Sequence, residues 1–256
     1  MTALAVCPTY GRLPYLGRML ASFLHQEYSD KHLVIVNDDK NIELKCASPM
    51  VTILNCSQRM IIGEKRNLGT AFGHYDIIFP WDDDDVFLPN RMNNHIQKYS
   101  DENIKAYRNY STYIIYGDEF TTADGTPNDI SFRKSEWFKL NGYQEKTWIG
   151  EDTEFFNKLI DNIWVENNPD NKDYVYNFGG VNYHLSCNSN PDSLEEIAFN
   201  QLKTMGLVGK TFWIEPDFEE YFKFLKLDSL YKKVKMKIPI THNSDAKITI
   251  PYVYHN

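Results

Sequence analysis

Four consecutive carboxylates, Asp82–Asp85, follow the apolar run Ile77–Trp81. Side chains alternate between the two faces of an extended chain, so the carboxylates of Asp82 and Asp84 can point to the same side. Two carboxylates at close range resist ionising together unless a cation lies between them. Mg²⁺ and Mn²⁺ take such oxygen ligands and usually keep positions for substrate phosphates. The run therefore indicates either a metal and phosphate site or a solvated acidic turn, which is the commoner meaning of clustered aspartates.

Two other apolar runs end in polar residues in the same way. Leu4–Cys7 leads into Pro8-Thr9-Tyr10, and Leu33–Val36 leads into Asn37-Asp38-Asp39. A helical pattern follows the first run, and a second helix is predicted over about residues 63–72, before the acidic run. This alternation predicts a mainly parallel sheet covered on both faces, and right-handed crossovers bring the three strand ends to one edge. Because ligands of open α/β sheets bind at the carboxyl ends of strands, the polar residues should share one crevice.

Five motifs occur in register over the first half of the chain: Pro8-Thr9-Tyr10-Gly11-Arg12, Gln26, Val34–Asp39, Arg66-Asn67-x-Gly69 and Asp82-x-Asp84-Asp85-x-x-x-Pro89. Their order and spacing resemble a GT-A fold glycosyltransferase of the family 2 type. The resemblance implies a nucleotide-sugar donor, usually UDP-linked, and a Mg²⁺ or Mn²⁺ ion that bridges the DxD motif and the diphosphate. It also implies an α/β, Rossmann-like fold with a mixed, mainly parallel sheet flanked by helices. We expect a C-terminal helical extension after it.

The donor is expected to contact residues at the three strand ends and on the second helix. Tyr10 offers an aromatic face to a base, or is a core residue beside a turn. Asp38 could accept the imide N–H of uracil, or be a helix cap or part of a surface turn. Lys40-Asn41 replaces the Gly-Ser that the family often has, so either Asp38 or Asp39 could face the base. The full predicted set of donor contacts is Pro8, Thr9, Tyr10, Arg12, Asp38, Arg66, Asp82 and Asp83.

Arg66 is the predicted contact for the diphosphate, because a guanidinium can bind phosphate oxygens in bidentate fashion. The alternative is a surface ion pair with Glu64 or Asp76. The metal ligands implied by the resemblance are Asp84 and Asp82. His184 is a candidate third ligand, although a lone histidine is more often a core or surface residue.

The segment Gly150-Glu151-Asp152 precedes an apolar helical face and resembles the family's Gly-Glu-Asp motif. In that motif the Asp deprotonates the acceptor hydroxyl of inverting enzymes. Asp152 is therefore the predicted general base, with Glu151 as its catalytic neighbour, and the alternative is a helix N-cap. Trp148 and Gly150 are predicted acceptor contacts, the former by stacking on a sugar and the latter by close backbone approach.

Composition excludes several other classes of protein. The chain has 256 residues, 42% apolar and 24% charged, which predicts a packed core. Its net charge of −8 disfavours a nucleic-acid binder. The four cysteines lack Cys-x-x-Cys spacing, which predicts reduced thiols in a cytoplasmic protein. The basic stretch Lys232–Lys237 is expected to be solvated, with a weak membrane contact as the alternative.

We expect residues 1–205 to form the GT-A domain, with a nucleotide-sugar half at 1–100 and an acceptor and catalytic half at 101–205. Residues 206–256 form the extension, whose role the sequence does not indicate. The predicted function is metal-dependent transfer of a sugar from a nucleoside-diphosphate sugar, with UDP the expected nucleotide, to a hydroxyl of a glycan or other acceptor, with inversion. A nucleotidyltransferase is one alternative, but Pro8–Arg12 lacks a Gly-rich phosphate loop. An inactive carbohydrate-binding module is another, and the complete acidic set argues against it.

Overall fold

The computed structural model describes residues 1–116, 119–124, 129–147, 150–159, 163–166, 172–177 and 191–225. All of them belong to one compact unit, Met1–Lys226. A second unit, Leu227–Asn256, lies outside the described residues and contains the basic stretch Lys232–Lys237. No helix in the described part of the chain is long and apolar enough to cross a membrane.

The elements of the first hundred residues, in chain order, are β1 (Ala3–Thr9), α1 (Leu13–Leu24), β2 (Lys31–Asn37), β3 (Ile42–Lys45), β4 (Val51–Asn55), α2 (Ile62–Ala71), β5 (Ile77–Pro80), β6 (Val86–Phe87) and α3 (Arg91–Lys98). The later elements that the structure describes are β7 (Ala106–Asn109), β8 (Ser111–Tyr116), β9 (Glu119–Asp124), β10 (Ile130–Arg133), α4 (Lys134–Lys139), α5 (Glu151–Leu159), β11 (Ile163–Glu166), β12 (Tyr174–Asn177), α6 (Pro191–Thr204), β13 (Lys210–Trp213) and α7 (Phe218–Leu225).

A seven-stranded sheet in the order β11-β7-β10-β5-β1-β2-β4 forms the centre of the protein. Strands β5, β1, β2 and β4 run parallel to one another, whereas β10 is antiparallel to both β5 and β7. The predicted mixed, mainly parallel sheet is therefore confirmed. The register pairs Thr9 with Asn37 and Val6 with Pro80, so the polar residues after β1, β2 and β5 lie at one edge.

Helices cover both faces of this sheet because side chains alternate along its buried strands. Every residue of β1 is buried. Ala5 and Cys7 pack in the cluster that contains Leu16 of α1. Leu4 and Val6 face the other way and pack in the cluster that contains Phe155 of α5. This two-sided burial is typical of parallel strands that read as continuous apolar runs.

A second, smaller sheet has four strands in the order β6-β12-β8-β9. Strand β12 pairs antiparallel with β6, and β6 directly follows the acidic run. The acidic residues are therefore held between the end of a strand of the large sheet and the start of a strand of the small one.

The described part of the predicted C-terminal extension, residues 206–225, contains a strand as well as a helix. Strand β13 pairs in parallel with β3. Helix α7 packs on α1, where the Asp217 amide donates to the Gly17 carbonyl at 2.9 Å. Tyr221 is fully buried and its hydroxyl donates to the Phe87 carbonyl at 3.1 Å. These residues thus pack on the N-terminal half, while a domain boundary at 205 stays a prediction.

Candidate active site

Arg12 connects the end of β1 to the acidic run. Its Nε donates to Asp83 Oδ2 at 3.2 Å, and its Nη2 contacts Asp83 Oδ1. The same Nη2 lies 2.6 Å from Asp84 Oδ2. Thr9 Oγ1 donates to Asp83 Oδ2 at 2.7 Å. Four residues that the sequence predicted for donor or metal binding therefore meet at one point.

Burial and mutual repulsion perturb the carboxylates of the acidic run. Burial raises the pKa of Asp83 to about 6, the Arg12 guanidinium opposes this change, and the Asp84 carboxylate adds to it. Burial also raises the pKa of Asp82, against the Arg66 guanidinium and with repulsion from Asp84. Crowded, partly desolvated carboxylates are the kind of site that a hard divalent cation would stabilise. The oxygen donors of Asp82 and Asp84 therefore fit Mg²⁺ or Mn²⁺.

The backbone of the acidic run is fixed by neighbouring side chains. Arg18 Nη2 donates to the Asp84 carbonyl at 2.7 Å, and Asn177 Nδ2 donates to the same oxygen at 3.1 Å. The Asp85 carboxylate accepts hydrogen bonds from the Asn177 amide at 2.9 Å and from the Tyr174 hydroxyl. Asp85 therefore anchors the turn to β12, and this leaves Asp82 and Asp84 as the better candidates for ligands.

Arg66 connects the acidic run to the segment that resembles the Gly-Glu-Asp motif. Its guanidinium donates to Asp82 Oδ1 and to Glu151 Oε1, both at 2.9 Å. Only 3% of Arg66 is exposed. The predicted alternative was a surface ion pair with Glu64 or Asp76, and it is wrong, because Arg66 is buried and pairs with Asp82 and Glu151. Glu64 accepts from the Ile61 amide and Asp76 from the Thr2 amide.

Asp152 lies beside this pair, at the start of α5. It lines a small hollow together with Arg66, Pro80 and Tyr143. Its Oδ1 accepts a hydrogen bond from the Thr153 amide at 2.6 Å, and the side chain is partly exposed. The position is consistent both with a helix-start carboxylate and with a base open to an acceptor.

Gly150, which precedes this carboxylate pair, has a φ of 81°. Residues with a side chain rarely adopt this conformation, so glycine suits the backbone that delivers Glu151 and Asp152. Trp148 and His184, the other predicted acceptor and metal residues, lie outside the described residues. Pro8 is buried within β1, opposite Val36.

The carboxylates of Asp38 and Asp39 have different surroundings. Asp38 is fully paired: it accepts from Lys65 Nζ at 2.8 Å, Arg59 Nη1 at 2.9 Å and the Met60 amide at 2.7 Å. Asp39 Oδ1 accepts from the Asn41 amide at 2.9 Å, whereas its buried Oδ2 has no hydrogen-bond partner among the described residues. A buried acceptor that still lacks a partner is the better candidate to accept an N–H group of a ligand, so the geometry favours Asp39 over Asp38 as the contact to the base.

Sequence reasoning missed Lys65 and Arg59, which neutralise Asp38. Lys65 Nζ also donates to the Thr9 carbonyl at 3.1 Å. Lys65 lies directly before the Arg66-Asn67-x-Gly69 motif, and this position was the one available signal. Arg59 lies before α2, in a segment with no pattern that indicates a contact to β1.

A second acidic cluster occurs in the described residues, formed by His95, Asp129 and Asp173. These side chains are fully buried, and their candidate ligand atoms lie within 4.8 Å of one another. His95 Nε2 is 3.6 Å from a carboxylate oxygen of each aspartate, and Arg91 Nε is 3.4 Å from Asp129. The cluster is a candidate ligand set for a metal ion, but Arg91 and a protonated His95 would already balance its two carboxylates.

The family model described as Glycosyl transferase family 2 matches residues 5–160, more than half of the chain. The chain belongs to glycosyltransferase family 2. The match includes the strand ends of β1, β2 and β5, the acidic run and Asp152. This family 2 glycosyltransferase therefore has the enzyme class and the fold that its motifs predicted. A search of curated protein sequences finds no match to it.

The glycosyltransferase is similar in fold to several solved structures. S. aureus TarS 1-349 in complex with UDP aligns with a TM-score of 0.56 at 13% identity, over 92% of this chain and 76% of that chain. The structure of TarS 1-349 with UDP-GlcNAc has the same TM-score of 0.56 and identity of 13%, over 69% of this chain and 58% of that one. The mannosyltransferase PcManGT from Pyrobaculum calidifontis, in complex with GDP-Man and Mn²⁺, aligns with a TM-score of 0.54 at 13% identity, over 78% of this chain and 68% of that one. In a further TarS 1-349 alignment this chain spans 60% of the TarS chain.

Proposed function

We propose that this glycosyltransferase moves a sugar from a UDP-sugar to a hydroxyl of a glycan or other acceptor, with a divalent metal and with inversion at the anomeric carbon. The observation that carries the proposal is the position of Arg66, which contacts Asp82 and Glu151 and lines the same hollow as Asp152. A group that binds diphosphate and a carboxylate that accepts a proton would then lie on either side of the reacting carbon.

The donor's nucleotide is assigned to the ends of β1 and β2. The ring of Tyr10 would stack on the base, and Asp39 Oδ2 would accept the imide N–H of uracil. Solved structures of the same fold contain UDP, UDP-GlcNAc or GDP-Man, which supports a nucleotide-sugar donor and leaves its sugar open.

Asp84 and Asp82 would hold the metal ion. When bound, such an ion stabilises the negative charge that develops on the leaving nucleoside diphosphate. Arg12 holds Asp84 in place and Arg66 holds Asp82. Because Arg66 lies next to this metal ligand, its guanidinium would also bind the diphosphate. The Mn²⁺ in the PcManGT structure supports this assignment.

Asp152 would remove the proton from the acceptor hydroxyl as its oxygen attacks the anomeric carbon. The proton passes to the Asp152 carboxylate, and the bond between that carbon and the diphosphate oxygen breaks. Attack from the face opposite the leaving group inverts the configuration. Glu151 cannot take this role easily, because it is 3% exposed and its carboxylate is paired with Arg66.

The test is to incubate the protein with a panel of UDP-sugars and Mn²⁺ and to measure release of UDP, since many transferases hydrolyse their donors slowly in the absence of acceptor. Release of UDP is expected. A nucleotidyltransferase would instead form pyrophosphate from a nucleoside triphosphate and a sugar phosphate. A folded protein that binds UDP-sugars but never releases UDP, with any acceptor, would be a binding module and would contradict the proposal. A cytoplasmic location remains a prediction from the sequence.

A further inference from the structure

The guanidinium of Arg59 covers the ring of Tyr10. Its Cζ lies 3.5 Å from the centre of the ring, which is contact distance. Two carboxylates hold it there: Nη1 donates to Asp38 at 2.9 Å, and Nε donates to Glu195 of α6 at 3.2 Å. No flat ring fits between a guanidinium and an aromatic ring at this separation. Arg59 therefore occupies one face of Tyr10.

Near that ring lies an acceptor that has no hydrogen-bond donor in the part of the chain that the structure describes. This acceptor is the buried Oδ2 of Asp39. Burial raises the pKa of the Tyr10 hydroxyl, and the Asp39 carboxylate is the next largest cause of that rise. Gly11, which follows Tyr10 in the chain, lies against this oxygen: a Cβ at this position would be 2.4 Å from Asp39 Oδ2, and φ is 57°. A flat heterocycle with an N–H group, stacked on Tyr10, could donate to Asp39. The guanidinium therefore occupies a surface that suits a nucleobase.

We propose that Arg59 competes with the base of the donor nucleotide for the ring of Tyr10. The proposal rests on the nucleotide-sugar function argued above and adds a residue that sets nucleotide affinity. Displacement of Arg59 leaves no buried charge unpaired, because Asp38 keeps its bonds to Lys65 and the Met60 amide. The departing guanidinium keeps Glu195, whose side chain is 46% exposed.

The experiment is a calorimetric titration of the protein with uridine, which lacks phosphate and so isolates the base from charge effects. Arg59→Ala is expected to bind uridine about two- to fivefold more tightly than wild type, because the competing cation–π contact is gone. Glu195→Gln removes the negative charge of one anchor of the guanidinium at an exposed position and is expected to give a smaller gain in the same direction. It also keeps the inference testable if Arg59→Ala does not fold.

The matched control is Arg108→Ala. Arg108 also stacks on a ring, that of Phe156, with its Cζ 4.4 Å from the centre. It lies on β7, three strands from β1 in the sheet, and its removal should leave uridine affinity unchanged. A gain of equal size in this control would overturn the inference.

Unchanged or weaker uridine binding in Arg59→Ala would also overturn it, and weaker binding would mean that the base stacks on the guanidinium instead. A failure of the proposed function would give a different result from a failure of this inference. If wild-type protein binds neither uridine nor UDP with Mn²⁺, the nucleotide donor is wrong and the competition by Arg59 falls with it.

Discussion

At the residue scale, the four neighbouring carboxylates of Asp82–Asp85 differ in their contacts and in their burial. Asp83 is buried under Arg12 and Thr9, Asp85 anchors the turn to β12, and Asp82 and Asp84 are the least buried of the four. A run of identical side chains is thus divided into two structural groups and two candidate ligands. The cause is not the alternation expected of extended chain, because Asp83–Asp85 form a turn and a bend, and each carboxylate meets different neighbours.

Asp84→Ala is expected to lower kcat by about 10²-fold or more, because charge on the leaving diphosphate would lose its cation. It should also abolish the dependence of UDP affinity on Mn²⁺. Calorimetry with UDP, with and without Mn²⁺, measures the second effect. Metal-linked UDP binding equal to that of wild type would remove Asp84 from the metal site.

Asp152→Asn is expected to lower kcat by about 10²- to 10⁴-fold, because an amide cannot take the proton of the acceptor hydroxyl. UDP affinity in the presence of Mn²⁺ should stay close to that of wild type, since Asp152 lies on the acceptor side. Steady-state kinetics and the same calorimetric titration measure both quantities. Activity close to wild type would leave Asp152 as a helix-start residue only.

Asp38 and Asp39 are expected to respond differently to removal of their carboxylates. Asp38→Ala leaves buried Lys65 without its anion, so the free energy of unfolding should fall by about 3–5 kcal/mol. Asp39→Ala should instead weaken uridine binding, with a smaller loss of stability. Urea unfolding and uridine titration of both variants test this, and the reverse pattern would return the base contact to Asp38.

At the scale of elements, a buried ionic cluster joins α3 to the segments before β10 and β12. Burial alone would lower the pKa of His95, but the carboxylates of Asp173 and Asp129 outweigh it and raise the pKa above its ordinary value. Arg91 opposes this rise from its own position on α3. His95 Nδ1 pairs with the hydroxyl of Ser131 at 2.8 Å, so the ring is held from both sides.

This cluster predicts that stability depends on pH through His95. Because its pKa is raised on folding, its contribution is complete below the unfolded value of about 6.5 and is lost as pH rises through the higher folded value. Urea unfolding from pH 5.5 to 9 should show a decline that His95→Gln removes. His74→Gln, at an exposed position, is the control. The same decline in His95→Gln would mean that other groups cause it.

At the scale of the whole molecule, residues beyond the family match pack on the N-terminal half. Helix α7 lies on α1, and β13 extends β3. The ring of Tyr221 also meets the edge of His25, with centroids 5.6 Å apart. The part of the extension up to residue 225 therefore contributes to the stability of the fold that holds the site.

Tyr221→Ala is expected to lower the free energy of unfolding by about 3–5 kcal/mol, because it removes a fully buried ring and leaves a cavity. Phe138→Ala is the matched control, since that aromatic ring is 63% exposed and its loss should change stability by less than about 0.5 kcal/mol. Urea unfolding compares the two. Equal effects would mean that α7 is only loosely attached.

The sequence alone determined the order of the first strands and helices, the mainly parallel sheet, the family and the place of the acidic run at a strand end. These follow from local patterns: apolar runs, helical periodicity and motif spacing depend on residues close together in the chain. The tertiary structure decided which charges meet. Arg66 and Glu151 are 85 positions apart and Arg59 and Glu195 are 136 apart, and no local pattern encodes such pairs. Only strand register and helix packing bring them within hydrogen-bond distance. For the same reason the sequence did not show that Asp38 is paired, or that Asp39 has a buried oxygen without a partner in the described part of the chain.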